Sequence, residues 1–209
     1  MQSWYNTDLS TPENRRRNRI YNLWFDHEII RTVWTNFHEI ATEVYRSNQP
    51  TRARLAKLKS QGITTVLNLR GAGPTGHYLA EKAYCDELGL ALYTVCLNAR
   101  GLVRRALIQD LIHHFHTLDK PFVMHCKSGA DRAGFASAIY LMVIEGRPVS
   151  EAKKQLSWRY GHIRNRHVGI LDYVLDVYEK RQSETGIAFE DWIATEYDHI
   201  SLTEGFRAR

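Results

Sequence analysis

Residues 125–135 read HCKSGADRAGF and set a cysteine and an arginine six positions apart, with small residues between them. Cys126 supplies a soft nucleophile. Arg132 supplies a planar fork of donors that grips two oxygens of one phosphate, which a lysine ammonium does not do. Ser128, Gly129 and Ala130 let the backbone curl tightly, and Gly129 tolerates a positive φ where the amides must turn inward. The apolar run PFVMH precedes the stretch and AGFASAIYLMVI follows it, so the loop joins a strand to a helix. At such a junction several N–H groups and the positive end of a helix dipole face one spot, which suits an anion. The same donors stabilise a thiolate. The chemistry expected is attack by Cys126 on a phosphate bound by Arg132 and the loop residues Lys127, Ser128, Gly129 and Ala130. His125 either orients the loop by hydrogen bonding or fills the strand end.

The surrounding elements must hold that loop. EVYRS and TTVLNL read as strands, the second as a buried one, and ALYTV as a third. Helices are expected from Pro50–Thr51 to Lys59, about His77 to Leu88, about Val103 to Leu118, and Ala133 to Glu145. Gly146 and Pro148 close the last of these and Ser150 caps the next, with further helical stretches at Gly169–Arg181 and Ala188–Tyr197. Strand and helix alternate, which predicts an α/β fold with a mainly parallel central sheet and helices on both faces. From Arg15 to Ala41, the positions Ile20, Leu23, Trp24, Ile30, Trp34 and Phe37 approximate helical spacing opposite a basic side. That helix either packs on the domain's own core or lies on an anionic membrane.

A chain of 209 residues with 24% charged residues fits one globular domain. Residues 1–42 are expected as a basic, aromatic, helical extension and 43–209 as the catalytic core with its C-terminal helices. The net charge of +5 favours partners that carry phosphate or acidic lipid without choosing among them. No secretory leader pattern opens the sequence, and the longest apolar run falls short of the ~20 residues that span a bilayer. Cys85, Cys96 and Cys126 form no disulfide framework, so a reducing, cytoplasmic setting is expected, with peripheral membrane contact as an addition.

The motif H-C-x5-R-x-G, here His125, Cys126, Arg132 and Gly134, resembles the signature of cysteine-dependent protein tyrosine phosphatases. The segment from about Val44 to Glu145, with YRSNQPT and GITTVLNLRG, is similar to their compact dual-specificity branch. The resemblance implies a dual-specificity-phosphatase-like fold and hydrolysis of phosphate monoesters through a phosphocysteine intermediate, with no cofactor or metal. Cys126 is then the nucleophile and Arg132 the phosphate clamp. Two positions depart from the pattern. The usual acid some thirty residues upstream is missing, since that neighbourhood reads CLNARGLVRR with Asn98. Asp110 is near in sequence but falls within a helix. Asp131, placed like the aspartate of myotubularin loops, is either the proton donor or a loop anchor. Ala133 replaces the usual hydroxyl residue after the arginine, and Ser128 is the nearest substitute.

Phosphotyrosine protein is the substrate class the resemblance implies first. A phospholipid or inositol phosphate is the alternative, favoured by Lys127, and a catalytically weak phosphate-binding module is a third reading. WRYGHIRNRHVG, from Trp158 to Gly169, is basic and aromatic enough to wall such a pocket; a nucleic-acid partner is not expected, because no recognised module surrounds it. RGAGPTG contains G-x-G-x-x-G, but the next strand ends without the acid a dinucleotide site needs, which leaves a loop beside the cradle with Arg70 near the substrate. His113, His114 and His116 point in different directions on a helix and read as solvated rather than metal-binding.

Overall fold

The computed structural model describes residues 10–24 and 33–209. A five-stranded sheet lies at its centre in the order β1-β2-β5-β3-β4, built from β1 (His38–Ala41), β2 (Val44–Asn48), β3 (Thr65–Asn68), β4 (Ala91–Thr94) and β5 (Phe122–Cys126). β1 runs antiparallel to β2, and every other pairing is parallel. β5 is therefore flanked on both sides, and its ladder aligns Cys126 with Asn48 of β2 and His125 with Asn68 of β3. A strand buried on both faces reads as a near-continuous apolar run, which is what PFVMH is.

Among the described residues the α-helices given by their full range are, in chain order, α1 (Pro12–Trp24), α2 (Arg52–Ser60), α3 (Gly76–Leu88), α4 (Arg105–Thr117), α5 (Asp131–Val143), α6 (Val149–Ala152), α7 (Ile170–Thr185), α8 (Phe189–Thr195) and α9 (His199–Arg207). Alternation along the strands divides the core in two. Leu67, Phe122 and Met124 face α4, α5, α7 and α8 on one side of the sheet, while Val66 and Val123 pack with Leu55, Leu58 and Cys85 of α2 and α3 on the other. The α/β sheet with helices on both faces is as the sequence predicts. Local signals hold the ends: the Thr51 hydroxyl accepts from the Arg54 N–H to start α2, and Gly89 takes φ 62° to end α3.

Three expectations need correction. The stretch 15–41 is not one helix: residues 34–37 lie outside any helix, Phe37 stacks on Tyr45 at 5.1 Å, and 38–41 is the edge strand of the sheet. The core thus begins before residue 43. Ile30 and the side chains of Leu23 and Trp24 lie outside the described residues. α1 docks on the domain, where buried Asn18 donates to the Gly76 carbonyl at 3.0 Å. Ser150 does not cap a helix, because α6 already begins at Val149 behind Pro148, whose fixed φ suits that place. α9 was not foreseen; Asp198 caps it by accepting from the N–H groups of Ile200 and Ser201.

Candidate active site

The loop between β5 and α5 is built to present its amides. Gly129 has φ +74°, between strand-end Cys126 and the helical backbone of Ala130, and such alternation of hand makes successive N–H groups converge. The carbonyls of residues 127–130 are each taken up by a donor from outside the loop. Lys127 O accepts from the Gln49 N–H at 3.4 Å, Ser128 O from Asn36 Nδ2 at 3.1 Å, and Gly129 O and Ala130 O from Arg46 Nη2 at 2.6 and 3.2 Å. With the oxygens turned outward, the N–H groups are left to the inner face. Ala130, at the N-cap of α5, brings no side-chain oxygen to close the helix end, so the first-turn amides also remain for a ligand.

Cys126 sits at the floor of this cradle and is almost wholly buried. Arg132 lies in the first turn of α5, and its Nε is buried with no hydrogen-bond partner among the described residues. A buried charged donor left unpaired is costly, which marks the place where an anion belongs. The Ser128 hydroxyl lies 3.4 Å from the Ala130 amide, so it serves the loop itself. Lys127 is partly exposed beside the cysteine.

Several residues that sequence reasoning did not single out hold the loop. Arg46, fully buried on β2, reaches under it and also donates to Gln155 O and Oε1 at 2.8 and 2.7 Å, with its guanidinium 4.0 Å from the Tyr160 ring centre. Burial pushes its pKa down to about 10, while Tyr160, Cys126 and Asp131 act in the opposite direction, so it remains a cation at neutral pH. A polar residue inside the strand VYRSN was the available signal. His125 places Nε2 2.7 Å from Oε1 of Glu81 on α3, with both side chains buried and no hydrogen-bond geometry between them, and its Nδ1 lies 3.4 Å from the Cys126 carbonyl oxygen. Asn36, at φ 46°, bridges Ser128 O and Tyr160 O.

Asp131 has a partner. His162, inside the run WRYGHIRNRHVG, places Nδ1 2.7 Å from Asp131 Oδ1 and Nε2 2.9 Å from Asp172 Oδ2 of α7. Burial works to lower the His162 pKa, but the two carboxylates outweigh it and raise it to about 9. The imidazolium therefore ties the start of α5 to α7. Asn98 is occupied in its own turn, accepting from the Arg100 N–H at 2.9 Å, and Asp110 stands on α4, 3.9 Å from His114. Arg70 pairs with Gln49. His116 faces Glu190 at 3.0 Å, and no group that could hold a metal occurs among the described residues.

Residues 41–167, more than half of the chain, match the family model described as PTP-SAK, Swiss Army Knife protein, DSP-PTPase phosphatase domain. The chain belongs to this family of dual-specificity-like cysteine phosphatases, and it is a phosphoric monoester hydrolase. No curated protein matches it in sequence. Among solved structures it is similar to a mutant form of Tk-PTP, with TM-score 0.56 and 18% identity over 71% of this chain and 97% of the other. TpbA of P. aeruginosa gives 0.54 and 19% over 71% and 91%. The core catalytic domain of the PP-IP phosphatase Siw14 of S. cerevisiae gives 0.53 and 18% over 72% and 93%. These likenesses carry the fold.

Proposed function

We propose that the protein hydrolyses phosphate monoesters by in-line attack of the Cys126 sulfur on phosphorus, forming a phosphocysteine intermediate that water then cleaves. The observation that carries this reading is the buried, unpartnered Arg132 Nε beside a loop whose carbonyls all point away. Arg132 clamps two phosphate oxygens, and the loop amides not taken up by Ser128 meet the charge that builds up on the equatorial oxygens in the transition state. Lys127 adds a cation at the mouth. His125, held against Glu81, fixes the strand end that carries the nucleophile.

The leaving-group proton is assigned to Asp131. It stands in the first turn of α5, beside Arg132, with its Oδ1 held by His162. Asp131→Asn should lower turnover of an alkyl phosphate by ~100-fold or more and of an aryl phosphate by ~10-fold at most, because a phenolate leaves without help. Equal losses on both esters would make Asp131 a loop anchor.

The site takes the phosphate dianion shared by phosphoproteins, phospholipids and inositol phosphates. TpbA has been solved in complex with pTyr, which supports the phosphotyrosine reading. Turnover of an aryl phosphate, abolished by Cys126→Ser and unchanged by a chelator, is the expected result. Activity that survives Cys126→Ser would sink the mechanism, and a chain that binds phosphate without turnover would be a binding module. Cytoplasmic placement is part of the same proposal and is checked by fractionation.

A further inference from the structure

The large apolar side chains left exposed are not spread evenly. Val33 and Trp34 are 88% and 43% exposed, and Trp158 and Ile163 are 85% and 70% exposed. These four, of seven such side chains among the described residues, stand on two segments that touch the catalytic loop; Ile20, Tyr93 and Ile200 stand elsewhere. Asn36, two residues after Trp34, donates to Ser128 O and to Tyr160 O, which ties 33–36 and 158–161 to the loop and to each other. Gly161 has φ +76°, and a Cβ there would stand 2.6 Å from the Trp34 ring, so the indole lies directly over this turn. Ile163 follows His162, which bonds Asp131 in the first turn of α5. The apolar residues therefore form a rim beside the mouth of the cradle.

Cations stand among them. Arg159 and Arg166 are exposed on the same segment, and neither is paired with a carboxylate among the described residues. Beyond Ile163 opens a cleft of about 420 Å³ walled by Arg164, Arg166, Arg207 and Arg209, with no acidic residue in its lining. Arg164 is neutralised by Asp176 at 2.8 Å. Arginine heads among protruding indole and aliphatic groups match a bilayer surface, where the cations meet lipid phosphates while the apolar tips enter the boundary below them. A protein partner is served better by a contiguous, well-packed apolar centre, whereas here exposed arginines stand among the apolar groups.

We propose that this rim is a docking surface for anionic phospholipid membranes, and that it sets the cradle against phosphate monoesters carried on lipid. The proposal rests on the phosphatase reading for its substrate but not for its binding, and the two are measured separately. Full-length protein is sedimented with phosphatidylcholine vesicles, with and without phosphatidylserine, while an aryl phosphate reports turnover in solution. The Cys126→Ser variant is expected to sediment like the wild type even though it turns nothing over.

Binding is expected only to the anionic vesicles, weakening as salt rises, with a blue shift of tryptophan emission. Trp158→Ala combined with Ile163→Ala should lower the partition coefficient at least ~10-fold, and Arg166→Ala should weaken binding further, each leaving aryl phosphate turnover unchanged. Failure to bind anionic vesicles, or binding that the double variant leaves intact, overturns the proposal. So does a double variant that loses turnover of a phosphopeptide while wild type ignores vesicles, because the rim would then serve a protein. Failure of aryl phosphate turnover with vesicle binding intact would count against the phosphatase mechanism alone.

Discussion

Arg46 shows what a local motif leaves out. Its guanidinium gives hydrogen bonds to Gly129 O, Ala130 O and Gln155, and no smaller side chain on β2 reaches all of them. Removing it strands buried acceptors at roughly 1–3 kcal/mol each. Arg46→Met should therefore cost about 2–4 kcal/mol in urea denaturation and depress kcat, and Arg46→Lys should restore neither, because one ammonium cannot bridge the loop and the 153–155 turn. A variant as stable and active as the wild type would remove Arg46 from the loop's support. The same packing explains the motif's last glycine: a Cβ on Gly134 would lie 2.6 Å from Gln155 O and 3.3 Å from Arg46 Nη2. The spacing from Cys126 to Arg132 was legible because both residues lie in one continuous turn, whereas Arg46, Glu81 and His162 reach that turn from other elements. Apart from the charge of Arg46 inside the strand VYRSN, nothing local in their sequence marks a contact made tens of residues away.

α5 carries the site at its first turn, and what fixes its start relative to α7 is His162 between Asp131 and Asp172. The folded-state pKa of about 9 stands above the ordinary 6.5, so the folded protein holds this proton more tightly than the unfolded chain. Its stabilisation is complete below about pH 6.5 and is lost as pH rises through about 9; the rise corresponds to about 3 kcal/mol at ~1.36 kcal/mol per pH unit. The stability gap between wild type and His162→Gln should accordingly narrow between pH 6 and pH 10, measured by denaturant titration at each pH. A gap independent of pH would mean that no proton is bound there on folding. Long elements with regular apolar spacing, such as α4 and α5, were evident in the sequence. The strand at 38–41 was not, because four residues of an edge strand carry no period of their own and the aromatics before it suggest a helix. The α9 segment HISLTEGFR is short, polar and contains a glycine; it is stabilised by its Asp198 cap and by Phe206 against Tyr173 at 5.7 Å.

Across the whole molecule the sheet separates two apolar layers, and the loop emerges at the carboxyl end of the central strand, where parallel α/β sheets place their ligands. That position followed from reading β5 as a buried strand; the edge strand and the side chains that brace the loop did not follow from any one segment. The net charge of +5 adds a field that acts before contact. It draws in a phosphate dianion from solution, while the direct contacts of Arg132 and the loop amides act only once the ligand is seated. The two are separable by ionic strength, since the screening length shrinks from ~30 Å at 0.01 M to ~3 Å at 1 M. Raising salt should thus lower kcat/KM for an aryl phosphate several-fold while kcat stays nearly constant. The measurement is made in a chloride and repeated in a glutamate salt, so that competition by one anion is not taken for screening. If kcat falls in parallel in both salts, the charges that matter are those within the cradle, and the surface field contributes nothing to capture.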